Sequence, residues 1–316
     1  MKNFALIGAA GYIAPRHMAA IRDTGNRITA ALDPNDSVGI IDSYFPDAHF
    51  FTEFERFDRH IDKLRRASHS DAIDFVSICS PNYLHDSHMR FALRSGCHAI
   101  CEKPLVLNPW NLDGLREIEE SNDRRINTIL QLRLHPSIIA LKQQIDASAQ
   151  DTKHEVDLTY ITSRGRWYLA SWKGEERKSG GIATNIGVHF FDMLHHLFGD
   201  RQQFHVHLND RSRAAGFIEF AKARVRWFMS LDSADVPKGD FEAGKRTFRS
   251  IKIDGTELEF SGGFTDLHTR SYEEIVAGRG FGLEENRAAI EMVSAIRTAK
   301  IESHLGDRHP ILTDAR

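Results

Sequence analysis

The sequence has three cysteines, Cys79, Cys97 and Cys101, an odd number with no C-x-x-C spacing, all in or beside apolar runs. Reduced buried thiols are therefore expected rather than a disulfide framework, with a nucleophilic cysteine as the lesser alternative. Excess charge of either sign is also missing, with 41 basic against 44 acidic side chains. Without a global basic field, neither nucleic acid nor an anionic membrane is a natural partner, and any anionic ligand must be caught locally. No apolar run approaches the roughly 18 to 20 residues of a membrane span, and Met1-Lys2-Asn3-Phe4 leads into a short strand-like run without the features of a signal peptide. A cytoplasmic location is the expectation. Internal repeats and low-complexity tracts are absent as well.

What is present is length and apolar material. At 316 residues, 41% of them hydrophobic, the chain exceeds one ordinary core, so two domains sharing a cleft are expected. Short apolar runs at Phe4–Gly8, Ile28–Asp33, His49–Phe51, Ile73–Cys79, His98–Cys101 and Ile126–Gln131 alternate with helical patterns such as Pro15–Asp23, His85–Ser95 and Leu112–Asp123. That rhythm predicts an α/β Rossmann domain over residues 1–131, with a parallel sheet. Residues 132–316 have another rhythm. Period-two stretches at Val156–Thr162, Phe204–Leu208, Phe217–Phe220, Val225–Leu231, Phe248–Ile253 and Leu258–Phe260 predict an α+β domain with an open, mainly antiparallel sheet. Helices are expected at Pro136–Ala147, Val188–Phe198 and Glu284–Lys300, and a mobile hairpin or loop at Ser233–Lys245.

The first strand runs into Gly8-Ala9-Ala10-Gly11-Tyr12-Ile13-Ala14, and Pro15 suits a first helical turn. Glycines there let the backbone approach a pyrophosphate, and a helix N-terminus favours its charge. The G-x-x-G-x-x-A spacing is weak alone. Asp33, 22 residues after Gly11 at the end of the second strand, strengthens it, because its carboxylate can accept bonds from ribose hydroxyls and would repel a 2′-phosphate. NAD is expected rather than NADP. Further strand ends complete a cofactor rim: Ser80-Pro81-Asn82 with His85, Glu102-Lys103-Pro104, and Gln131. Gly8, Gly11, Tyr12, Ile13, Asp33, Ser80, Pro81, Asn82, His85, Glu102, Lys103 and Gln131 are thus the candidate cofactor residues.

Gly8/Gly11, Ser80-Pro81-Asn82-x-x-His85, Glu102-Lys103-Pro104 and the run Gly180-Gly181-Ile182-Ala183-Thr184-Asn185-Ile186-Gly187-Val188-His189 resemble the superfamily of glucose-fructose oxidoreductase, inositol dehydrogenase and MocA. Many members carry aspartate four residues before that histidine, where this sequence has Asn185. Together with Gln131–Pro136 and the stretch Arg164 to Gly174, this departure is similar to a narrower group, the bacterial UDP-N-acetylglucosaminuronate 3-dehydrogenases of lipopolysaccharide O-antigen synthesis. The resemblance implies NAD-dependent oxidation of a sugar 3-hydroxyl, recycling of bound cofactor by 2-oxoglutarate, and a homo-oligomer, dimer or tetramer.

Alcohol oxidation needs a base for the hydroxyl proton and a hydride acceptor. Lys103 and His189 are the candidates, with His189 as base and Lys103 stabilising developing alkoxide charge; which accepts the proton first stays open, and Asn185 completes the catalytic set. A UDP-sugar acid carries a diphosphate and a carboxylate. Arg133, Arg164, Arg166 and Lys173 supply cations near aromatic side chains, and with Tyr168, Lys103, Asn185 and His189 they form the expected substrate set, although Arg-x-Arg also arises on solvated strand faces. His189, Asp192 and His196 fall near one helical face, but with no further ligand cluster beside them no metal is expected. Two other readings remain: a dehydrogenase of an uncharged polyol or free sugar, and a non-catalytic NAD-binding sensor.

Overall fold

The structure is a computed structural model and describes residues 1–67, 71–148, 152–258 and 266–313. It divides into two compact units, 1–134 with 265–287 and 135–264 with 288–316. The single cut expected after residue 131 is therefore replaced by a discontinuous first unit. The physical reason lies in the helix Leu267–Val276, whose Tyr272 and Ile275 are buried in the same core as Phe4, Leu6 and Met18. After it, Phe281 bridges to Thr128, whose N–H donates to the Phe281 carbonyl at 2.9 Å.

In the first unit, strands β1 (Asn3–Ile7), β2 (Arg27–Leu32), β3 (His49–Phe51), β4 (Phe75–Ile78), β5 (His98–Cys101) and β6 (Ile126–Thr128) form one sheet in the order β3-β2-β1-β4-β5-β6. Every pairing is parallel. All five residues of β1 are buried, as expected of a central strand covered on both faces. The order reverses between β1 and β4, so the turns after these two strands lie at the switch point where ligands of such sheets bind. The last run ends earlier than expected: β6 stops at Thr128, and Gln131 opens the 3-10 turn Gln131–Leu134.

In the second unit, β7 (His154–Thr162), β8 (Arg201–Asn209), β9 (Arg213–Phe220), β10 (Ala223–Ser230), β11 (Thr247–Ile253) and β12 (Thr256–Glu257) are ordered β12-β11-β7-β10-β9-β8. The sheet is antiparallel except for β7 beside β10. That pair is parallel because the chain leaves β7 through helices and returns only by the β8-β9-β10 meander. The helix Val188–Phe198 buries eight of its eleven residues, and Phe191 meets Trp227 of β10 edge-on at 5.2 Å. On the opposite sheet face, the Arg224 guanidinium donates to Asp307 at 2.7 Å and His309 Nε2 lies 3.0 Å from Thr159 Oγ1, so the C-terminal segment covers part of it.

One local expectation changes. Ser233–Lys245 is not a plain loop: it holds a 3-10 turn, Ser233–Asp235, begun by the Asp232 carboxylate accepting from Ala234 N–H at 2.9 Å, and a helix, Lys238–Glu242. A short β12 is joined to β11 through Asp254 and Gly255, both at positive φ, and of the expected strand Leu258–Phe260, residues 259 and 260 lie outside the described residues. No described helix is long and apolar enough to cross a membrane.

Candidate functional site

Gly8 follows β1 with φ of 87°, and a Cβ there would stand 2.6 Å from the carbonyl carbon of Cys79 and 2.7 Å from Ser80 N. Only glycine lets the β1 and β4 turns approach this closely. The loop closes when Gly11 N–H donates to the Gly8 carbonyl at 3.0 Å, and the ten-residue helix Ala14–Asp23 begins without a side-chain cap. An uncapped helix start behind a glycine turn suits a pyrophosphate. Asp33 is tied to the same turn, accepting from Ala10 N–H at 2.9 Å through one oxygen and from Asn35 N–H at 2.9 Å through the other. Tyr12 is exposed, whereas Ile13 packs on the core. These residues fit a dinucleotide.

At the next strand ends, Pro81 precedes the 3-10 turn Asn82–Leu84, Asn82 is buried, and Ser80 Oγ lies 2.8 Å from His88 Nδ1. His85 was expected on the rim but is buried, with its ring nitrogens each 2.8 Å from a carbonyl, Pro104 O and Ser80 O. It braces one rim segment against the other. Burial lowers its pKa against the raising effect of those carbonyls.

Glu102 needs a larger correction. Its carboxylate points into the core, where Oε1 lies 2.9 Å from His17 Nε2 and 3.2 Å from His268 Nε2, and Oε2 accepts from Lys103 N–H at 3.2 Å. Burial alone would raise its pKa; the two imidazole hydrogen bonds outweigh that and hold it well below the usual carboxylate range. Lys103 begins the cis Lys103-Pro104 peptide. Gln131 Oε1 is buried without a hydrogen-bond partner, an orphaned acceptor beyond β6. Arg133 belongs to this unit too. Its guanidinium donates to the Glu285 carbonyl at 2.9 Å and lies over Phe281.

The second unit carries the other candidates. Gly180 and Gly181 both have positive φ, and a Cβ at Gly180 would stand 2.6 Å from the Thr184 side chain, so the glycine pair turns the chain tightly into Gly181–Asn185. Buried Asn185 donates from Nδ2 to the hydroxyl of Tyr168, itself buried in the short helix Arg166–Ala170. Burial raises the Tyr168 pKa, opposed by that bond. His189, half-buried in the first turn of its helix, lies 4.3 Å between ring centroids from Phe190 and 6.4 Å from Tyr160. Arg164 and Arg166 are exposed, and the Lys173 ammonium sits 4.1 Å from the Trp172 ring centroid. The expected cation set is thus divided, with Arg133 in the first unit and Arg164, Arg166 and Lys173 in the second.

Among the described residues, the set of potential metal ligands that converges is not His189, Asp192 and His196 but His17, Glu102 and His268, with ligand atoms within 4.8 Å of one another. Sequence reasoning missed His17 and His268. A signal existed for the first: Ala14, His17, Met18 and Ile21 recur at helical spacing and all are buried, so a histidine shares the core face.

Two family models match the chain, an oxidoreductase family's NAD-binding Rossmann fold over residues 2–129 and its C-terminal alpha/beta domain over residues 152–240. The structure is similar to that of the WlbA (WbpB) dehydrogenase from Thermus thermophilus in complex with NAD and alpha-ketoglutarate, at 49% identity and a TM-score of 0.94, covering 98% of this chain and 99% of that one. The same dehydrogenase in complex with NAD and UDP-GlcNAcA matches at 48% identity and a TM-score of 0.93, with the same coverage. A curated relative, D-glucoside 3-dehydrogenase of Escherichia coli, is 29% identical over 130 residues, 40% of this chain, and the match spans only 36% of that enzyme.

Proposed function

This chain belongs to the NAD-binding oxidoreductase family of glucose-fructose oxidoreductase, inositol dehydrogenase and MocA, and from that premise we propose that it oxidises the 3-hydroxyl of UDP-N-acetylglucosaminuronic acid to the 3-keto sugar. One observation carries the substrate: near-half identity over almost the whole chain to a dehydrogenase solved with NAD and UDP-GlcNAcA. The 3-keto product suits a following aminotransferase in lipopolysaccharide O-antigen synthesis.

Bound NAD supplies the hydride acceptor. Gly8, Gly11 and the start of the Ala14–Asp23 helix would hold its pyrophosphate, Asp33 its adenosine ribose, and the Ser80–Asn82 and Lys103 turns its nicotinamide half. In this reading His189 takes the proton of the 3-hydroxyl, and Lys103 donates a hydrogen bond to the same oxygen as charge develops on it. Asn185 replaces a carboxylate with an amide, so Tyr168 accepts its bond and keeps its own O–H for another acceptor. Arg164, Arg166 and Lys173, with Arg133, are the cations proposed for diphosphate and carboxylate. The cofactor is recycled in place by 2-oxoglutarate, and the protein works as a homo-oligomer, a dimer or tetramer.

The test is formation of reduced nicotinamide on adding the UDP-sugar acid, compared with inositol and simple sugars. Turnover of the uncharged compounds alone would favour the polyol reading, and no hydride transfer with NAD bound would favour a sensor. Copurifying NAD(H) with oxoglutarate-dependent turnover supports recycling; free exchange with added NAD counts against it. Light scattering checks the oligomer.

A further inference from the structure

Behind the Lys103 peptide lies a buried polar chain that the proposed reaction does not use. Ser77 Oγ is 2.7 Å from the Tyr272 hydroxyl, and that hydroxyl is 2.7 Å from His17 Nδ1. His17 Nε2 then meets Glu102 Oε1 at 2.9 Å, and His268 Nε2 reaches the same oxygen at 3.2 Å. Ser77, Tyr272, His17, Glu102 and His268 are all buried, and all belong to the first unit.

Acceptor chemistry sets the direction of these bonds. An ionised carboxylate only accepts, so both Nε2 atoms carry protons. Full burial disfavours an imidazolium at His17, whose pKa is lowered despite the hydrogen bond to Glu102, so Nδ1 keeps its lone pair and accepts from Tyr272 O–H. Tyr272, having donated its only proton, accepts from Ser77. Every proton along the chain therefore points toward Glu102, and Lys103 N–H points to its other oxygen at 3.2 Å. Hydrogen bonding alone accounts for each separation, so the His17, Glu102 and His268 set requires no metal.

We propose that Glu102 is a positioning residue for Lys103: Ser77, Tyr272 and His17, joined by His268, hold its carboxylate as a buried anion, which in turn fixes the Lys103 backbone amide from which the reactive side chain extends. A strand-end turn is thereby tied to the helix that carries His268 and Tyr272, with His268 lying 166 residues beyond Glu102 in sequence. The kinetic part rests on the reading that Lys103 takes part in turnover; the bonding part does not.

Two measurements test it. Imidazole nitrogen NMR on the full-length protein should show His17 neutral with its proton on Nε2 across about pH 6 to 9, around the ordinary histidine range. An Nδ1-protonated or doubly protonated His17, or stoichiometric bound metal by elemental analysis, overturns the bond direction. Tyr272→Phe keeps the ring that packs beside Phe4 and removes only the hydroxyl. It should lower kcat by about 3- to 10-fold, the scale of one lost hydrogen bond, while KM and NAD affinity stay within about twofold. Glu102→Gln should lower kcat further, and the double variant should be no slower than Glu102→Gln alone, since Tyr272 acts through Glu102. Multiplied losses, or a lowered melting temperature with unchanged kcat, refute positioning. If the wild type transfers hydride from no sugar, the dehydrogenase reading fails while the NMR result still decides the chain.

Discussion

In the first unit most candidate residues come from strand ends spread between Gly8 and Gln131, whereas in the second Asn185 and His189 share the single run Gly180–His189, and Arg164, Arg166, Tyr168 and Lys173 precede it. The spread set depends on sheet register and on buried side chains reaching it from elsewhere: Gly8 is pressed against Cys79 and Ser80, and Glu102 is held by His17 and His268. The contiguous set depends on local backbone geometry, two glycines at positive φ followed by a short helix. Spread residues should therefore be sensitive to distant substitutions, and contiguous ones to changes within their own turn.

The strongest way to join the two sets is through chemistry. Lys103→Ala and His189→Ala should each lower turnover by about 10²- to 10⁴-fold, the usual scale for a lost acid–base group, with NAD still bound. Steady-state kinetics with a cofactor-binding control checks this, and near-normal turnover in either variant removes that residue from the mechanism.

Glycine substitutions separate the two sets. Gly8→Ala combines left-handed backbone strain with a clash against backbone atoms 2.6–2.7 Å away, so a loss of about 3 kcal/mol or more is expected. Gly181→Ala carries the strain at φ of 77°, but its nearest neighbour is Glu176 Cγ at 3.7 Å, so about 1–2 kcal/mol is expected. Urea unfolding of both variants gives the order, and equal losses would show that the close approach of the β1 and β4 turns costs nothing extra.

Asp33→Asn should weaken NAD binding by about 10- to 100-fold, the range for a charged hydrogen bond, and narrow the preference over NADP. Calorimetry with both cofactors measures it. An unchanged preference would assign Asp33 only its structural bonds to Ala10 and Asn35.

Acid should probe both units similarly. Burial lowers the pKa of His88 in the first unit and of His309 in the second, each to about 4 from an ordinary 6.5. Because the unfolded chain takes the proton first, stability is complete above about pH 6.5 and falls as pH drops toward 4, by up to about 3 kcal/mol for each site. Hydrogen exchange against pH should show protection falling in both units, and His309→Gln should flatten the response in the second alone.

Much of this is legible in the order of the amino acids. The alternation of apolar runs and helical patterns marks β1 to β6, because a parallel strand buried on both faces must be apolar. The glycine turn, Asp33 and the Glu-Lys-Pro turn stand out because they follow strands. Asp254-Gly255 is a hairpin turn by its local chemistry, and β12 begins directly after it. The parallel β7–β10 pair and the return of residues 265–287 to the first unit leave no local trace, since strand neighbours and core membership depend on contacts far apart in the chain.

The sequence by itself determined that the strands within residues 1–131 form a dinucleotide-binding sheet and made Lys103 and His189 the candidate reactive pair, because periodicity, glycine conformation and short motifs are properties of neighbouring residues. Only the tertiary structure decided that Glu102 turns inward to His17 and His268 rather than outward to a cofactor. A carboxylate's direction is set by which donors surround it, and here two of the three come from elements 85 and 166 residues away.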